Sequence, residues 1–395
     1  IFSLALLSGS VCGFTSVGLS RFDILAPPRS RALERLTSMK PGSNGSSIPA
    51  GGSVWPTAIF WTTVQIGTPP QDFPVAIDSG SGDLDVSGKG CTGCVTKPPN
   101  RGYDPTSSST SKKNFPYKFS NTYQTCDLKH PTAPCTISGD LYKDSVSLAG
   151  LGPVDVVLGS IQSQTSNFDQ FKEIDGVMGF TFASNKNVFS QLVSAGKCDN
   201  VWALCMHQGS VSNGTLTIGG ADPRLSVDGK VTYVKDVGNG FHSVQVNSVQ
   251  LGQASIEVGE AAILDTGTNV LLVPTAVLKE MEKTMCADSS LASCSDLWNG
   301  KCVDLTDSQV AAYPPLALQL DSIDLEMTPA DYLLKGSPLA SSSSQYCIGI
   351  KDGGSAGGSG FIIGDTTMRN YYLVFDLAEN KIGWGPVNKD KCGSV

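Results

Sequence analysis

Two short segments of this 395-residue chain carry residue types that can do acid–base chemistry, and they occur in matching surroundings. Asp78-Ser79-Gly80-Ser81 follows the apolar run Phe73-Pro74-Val75-Ala76-Ile77, and Asp265-Thr266-Gly267-Thr268 follows Ala261-Ala262-Ile263-Leu264. If the two turns met face to face, their carboxyls could not both ionise easily; they would share one proton and titrate as a unit. One could then take a proton from water while the other donated to a substrate carbonyl. Gly80 and Gly267 would permit the sharp turn and the close approach. Ser79, Ser81, Thr266 and Thr268 would supply hydroxyls that orient the carboxyls and satisfy buried backbone groups. Either segment alone is an ordinary turn sequence, but two of them, 187 residues apart, read as a degenerate internal repeat.

The elements around these segments are read as strands. Short apolar stretches broken by Gly, Asn, Asp and Pro dominate, with 43 glycines and 22 prolines. Ile59 to Ile66 reads as a strand, as do the runs entering each Asp motif. About 100 residues after each motif comes a second matched pair, Asp175-Gly176-Val177-Met178-Gly179-Phe180 and Gly360-Phe361-Ile362-Ile363-Gly364-Asp365. Few helices are expected: Val188 to Ala195, Thr275 to Met285, one turn after Asp365, and a short one in the Arg/Leu-rich piece Arg29 to Met39.

Composition bounds the function. Hydrophobic residues make up 40% and charged residues 16%, as in a globular chain with room for two core-bearing lobes. The net charge of −8 argues against nucleic acid or an anionic membrane as partner. Residues 1–13 read as the tail of a signal peptide, and 14–53 as a basic propeptide and linker holding Arg29, Arg31, Arg35 and Lys40. No run of about 18 apolar residues suggests a membrane span. Twelve cysteines agree with export. His130, His207 and His242 are scattered without ligand spacing, so Cys91 and Cys94 read as a small disulfide and no metal is expected. Proximity also favours Cys126–Cys135 and Cys286–Cys294. Asn44 and Asn213 head glycosylation sequons.

Over about residues 58–388 the sequence resembles the pepsin-type, cathepsin D-like aspartic proteases. Ile66-Gly67-Thr68-Pro69-Pro70-Gln71-Asp72-Phe73 is similar to the family's lead-in to its first motif, and Phe361-Ile362-Ile363-Gly364-Asp365 with Val374-Phe375-Asp376 to its C-terminal signature. The resemblance implies a mainly β, bilobed fold of two pseudo-symmetric lobes, here 54–235 and 236–395. It implies Asp78 and Asp265 as the catalytic dyad, a nucleophilic water, no cofactor, polypeptide substrates and inhibition by pepstatin-like peptides. It makes Tyr123 and Thr125 part of a flap hairpin over the substrate and suggests a Cys302–Cys347 disulfide. A secreted or vacuolar monomer working in acid is expected. Among the remaining cysteines, Cys198–Cys392 is the expected pair, with Cys205 free.

Three positions depart from the family. Ser79 stands for the commoner Thr, the flap gains residues between Cys126 and Cys135, and Asp85 stands where the family usually has Trp. In the family that indole can hydrogen-bond the flap tyrosine. Asp85 is expected either to accept a bond from the Tyr123 hydroxyl or to face water. Two rival functions remain: a non-catalytic peptide- or protein-binding protein on the same fold, and a glycosidase using two carboxylates.

Overall fold

The computed structural model describes residues 37–38, 45–53, 59–94, 102–123, 135–165, 174–181, 186–207, 213–238, 240–337, 339–354 and 360–393. The described residues are mainly β-strands, in one 14-stranded, one seven-stranded and one three-stranded sheet. The strand Ile59–Ile66 pairs with Gln71–Asp78, in which Phe73, Val75 and Ile77 are buried at period two, so the run that ends at Asp78 is pinned by its apolar face. In the second lobe Ala254–Leu264 plays the same part, with Ala262 and Leu264 buried just before Asp265.

The two lobes share a layer. Val201–His207 pairs with Asn213–Ile218 on one side and with Tyr371–Asp376 on the other, so the 14-stranded sheet takes in strands from late in the chain. Trp202 stacks on Phe375 there, with ring centroids 3.9 Å apart.

Several expectations need correction. The linker assigned to 14–53 contains the strand Ser46–Ser53, which lies between Asn213–Ile218 and Ile59–Ile66. Its small residues suit that place: Ala50 is buried, and a Cβ on Gly51 would strike the Trp61 indole at 2.5 Å. Short helices at Cys294–Trp298, Asp307–Ala311 and Pro329–Tyr332 were not anticipated; the last two are opened by Thr caps that the sequence carries at Thr306 and Thr328.

Disulfides join Cys91–Cys94, Cys286–Cys294, Cys302–Cys347 and Cys205–Cys392. The expected Cys198–Cys392 pair is therefore wrong, and Cys198 is the buried free thiol among the described residues. Strand alternation explains this. Cys205 points with Ala203 to the face covered by Val387 and Cys392, whereas Cys198 lies in the main core. Cys135 is disulfide-bonded; Cys126, Thr125 and Asn44 lie outside the described residues. Asn213 opens its strand opposite His207. Among the described residues no helix is long and apolar enough to cross a membrane.

Candidate active site

Each Asp sits at the end of a strand held by the matched glycine segment. Gly176–Gly179 runs parallel to Gln71–Asp78 with Asp78 opposite Gly179, and Ile362–Ile363 runs parallel to Ala254–Leu264. The glycines closing these segments lie against the Asp turns. A Cβ on Gly179 would meet the Ser81 carbonyl at 2.4 Å, and one on Gly364 the Thr268 carbonyl at 2.3 Å. This is why the repeat of two apolar residues and Gly accompanies each motif.

The two turns are clamped to one another by reciprocal hydrogen bonds. The Ser79 hydroxyl donates to the Leu264 carbonyl (2.8 Å) and accepts from the Thr266 N–H (2.9 Å). The Thr266 hydroxyl donates to the Ile77 carbonyl (2.7 Å) and accepts from the Ser79 N–H (3.0 Å). All of these groups are buried, so each hydroxyl satisfies two backbone groups of the opposite lobe. Ser79 keeps the hydroxyl that this clamp needs.

Around the carboxyls the arrangement is two-fold symmetric. Gly80 N–H donates to Asp78 Oδ1 (2.9 Å) and the Ser81 hydroxyl to Oδ2 (2.5 Å). Gly267 N–H donates to Asp265 Oδ1 (2.8 Å) and the Thr268 hydroxyl to Oδ2 (2.6 Å). A Cβ on Gly80 would lie 2.6 Å from the Asp265 carboxyl, and one on Gly267 would lie 2.7 Å from Asp78 Oδ1. The carboxyls are 7% and 5% exposed, open enough for water and dry enough for their charges to be felt. Burial first, and then the Asp265 charge within hydrogen-bonding reach, holds Asp78 well above the usual carboxylate range.

The symmetry breaks at one position. After Gly179 the first lobe has Phe180, whereas after Gly364 the second has Asp365, fully buried with neither carboxyl oxygen hydrogen-bonded among the described residues. Burial pushes Asp365 well above the usual range; the Asp265 charge adds to this and Arg369 opposes it. A charged residue breaking the internal repeat was the sequence signal for this third carboxyl.

The segment expected to form a flap contains a hairpin, and Asp85 near it has other partners than expected. Lys112–Tyr123 and Cys135–Leu148 form a hairpin with Tyr123 opposite Cys135. Asp85 beneath it neither faces water nor takes its hydrogen bonds from the Tyr123 hydroxyl. It is 1% exposed and accepts from Asn121 Nδ2 at 2.8 Å and from the Gly159 N–H. Asn121 lies two residues before Tyr123 and on the same face of the strand, so it reaches the carboxylate first. Asn121 also bonds Asp83, and both carboxyls are raised by burial. Among the described residues no group of three or more His, Cys, Asp or Glu is arranged to hold a metal ion.

The family model for eukaryotic aspartyl proteases matches residues 59–387. Pepsin A of Suncus murinus is 27% identical over 336 residues, covering 83% of this chain and 81% of its own length. Pepsin A of Sus scrofa is 26% identical with the same coverage. Pepsin-2B of Gadus morhua is 25% identical over 334 residues, 83% of this chain and 95% of its own.

Proposed function

Because the chain belongs to the eukaryotic aspartyl protease family, we propose that it is an endopeptidase that cleaves polypeptides with Asp78 and Asp265 as its catalytic pair. The observation that carries this reading is the direct meeting of two carboxyls whose outer oxygens are held by Ser81 and Thr268. One proton shared between them divides the labour. The ionised carboxylate takes a proton from a water as its oxygen attacks the scissile carbonyl carbon, and the protonated carboxyl gives its proton to the carbonyl oxygen. The resulting gem-diol collapses when a proton reaches the amide nitrogen and the C–N bond breaks, yielding an acid and an amine. Tyr123 on the flap hairpin covers the substrate. The protein acts in acid within the secretory pathway or beyond it, as a monomer inhibited by pepstatin-like peptides.

The test is hydrolysis of denatured haemoglobin by the purified protein across acid to neutral pH, with and without pepstatin. Acid activity abolished by pepstatin is expected. A folded protein that binds pepstatin but cleaves nothing at any pH would favour the non-catalytic peptide-binding reading instead.

A further inference from the structure

The strand Lys112–Tyr123 ends the 14-stranded sheet, and its only strand partner among the described residues is Cys135–Leu148. Their register breaks between the pair Lys113 with Tyr142 and the pair Lys118 with Asp140. The four residues 114–117 therefore stand opposite Leu141 alone and form a bulge. Phe115 is 80% exposed and Tyr117 52% exposed, and their rings meet edge-on with centroids 5.5 Å apart. Lysines surround them. Lys113 Nζ lies 6.0 Å from the Tyr117 ring centroid and 3.6 Å from Asp140, and Lys118 Nζ lies 2.6 Å from the same carboxylate. Lys112 is exposed beside Lys113. Lys143, opposite Lys112, is paired with Asp155 at 2.9 Å and adds no net charge. The patch thus sets three lysines against one acid, around two bare rings.

Lysine and proline on an edge strand discourage other strands from pairing with it, which accounts for Lys112, Lys113, Pro116 and Lys118. The two rings work against that end, because exposed apolar groups on an edge invite association. A second copy of the chain is a poor occupant. Equal positive patches repel, and the unmatched residues break the ladder that edge pairing needs. An exposed aromatic tip ringed by cations fits a surface that is anionic outside and apolar just below. We propose that the 114–117 bulge docks on an anionic phospholipid surface. Phe115 and Tyr117 enter the headgroup boundary, and Lys112, Lys113 and Lys118 meet the lipid phosphates. The chain's net charge of −8 opposes this only from a distance. At physiological salt, exposed charges more than about 8 Å away are largely screened. The same strand runs on to Tyr123, which at about 3.3 Å per residue lies within about 20 Å of Tyr117. Docking would therefore hold the flap hairpin close to the membrane.

Docking does not depend on proteolysis, and its test needs no activity. The full chain is mixed near neutral pH with vesicles of phosphatidylcholine, alone or with about 30% phosphatidylserine, and the bound fraction is read by flotation. Binding to the anionic vesicles is expected to be at least about tenfold tighter than to the neutral ones, and to be lost in about 0.5 M salt. Phe115→Ser with Tyr117→Ser removes only exposed rings, so the variant is expected to melt with the wild type and to bind the anionic vesicles about tenfold more weakly. Replacing Lys112, Lys113 and Lys118 together by Gln is expected to abolish the preference for them. The basic stretch Arg29 to Lys40 is present in every variant, so these differences read the bulge. Equal binding to the two vesicles, binding to neither, or unchanged binding by the serine variant overturns the proposal. Tighter binding to soluble polyglutamate than to the anionic vesicles would assign the patch to an acidic polypeptide and overturn it as well.

Discussion

Asp78 and Asp265 meet directly, one from each lobe, whereas Asp83 and Asp85 lie two residues apart in one segment with the Asn121 amide between them. Burial raises Asp78, Asp83 and Asp85 alike, so a raised carboxyl does not by itself mark a catalytic one. The surroundings differ. Each carboxyl of the first pair has one oxygen on a backbone N–H and the other on a hydroxyl, and glycines let the two approach. In the second pair an amide divides its donors between two carboxyls, and its own Oδ1 has no partner among the described residues. Direct contact lets two carboxyls share one proton. A bridging amide fixes two strands together and hands no proton on.

The largest expected effect separates the pairs. Asp78→Asn or Asp265→Asn is expected to lower kcat/KM by about 10⁴-fold while the protein stays folded, as judged by circular dichroism and thermal melting. Asp85→Asn is expected to keep acid activity within about tenfold, because it leaves proton sharing intact. Near-complete loss of activity in Asp85→Asn would erase the distinction drawn between the two pairs.

A smaller effect probes the clamp that brings the first pair together. Thr266→Val removes one hydroxyl that serves two buried backbone groups, the Ile77 carbonyl and the Ser79 N–H. Leaving them unpartnered is expected to cost about 1–3 kcal/mol each, read from denaturant melts. Thr266→Ser keeps the hydroxyl and is expected to recover most of that loss. Equal destabilisation by the two variants would mean that the methyl, and not the hydrogen bonds, holds the turns.

The strands, the two Asp turns and their glycine partners were legible in the sequence because each is local: an apolar run, a turn and a hydroxyl within four residues. That the Ser79 and Thr266 hydroxyls would serve buried backbone groups could be read because the motif repeats; that they do so across the two turns could not. What could not be read was set by pairs distant in sequence. Cys205 finds Cys392 because both lie on one face of a shared layer, and sequence proximity says nothing about that. Asn121 intercepts Asp85 because strand register brings it there before Tyr123. Ser46–Ser53 looks like a linker in composition and becomes a strand because Asn213–Ile218 and Ile59–Ile66 leave a place between them.

The smallest effect concerns how stability follows pH, and it treats the second pair as a structural load. Asp85 is pushed up to about 8, chiefly by burial and then by the Asp83 charge, against the ordinary aspartate range in the unfolded chain. The folded state therefore holds a proton that the unfolded chain gives up above about pH 4. The resulting stabilisation is complete below that range and drains away as pH rises toward about 8. Asp365 carries the same sign, and so does Asp175, raised by burial to about 6. The surface carboxylates Asp140 and Asp222 carry the opposite sign. Lys118 and Arg224 hold them low, so their contribution is lost only on acidification below the usual carboxylate range. Across mildly acid to neutral pH the buried group dominates, because exposed ion pairs contribute little. Asp85→Asn is always neutral and keeps an acceptor for Asn121. Between pH 5 and pH 8 its melting temperature is expected to fall less than the wild type's, by a difference on the order of a few degrees. A fall as steep as the wild type's would show that Asp85 is ionised throughout, and that the bridge to Asn121 is an ordinary charge-assisted bond.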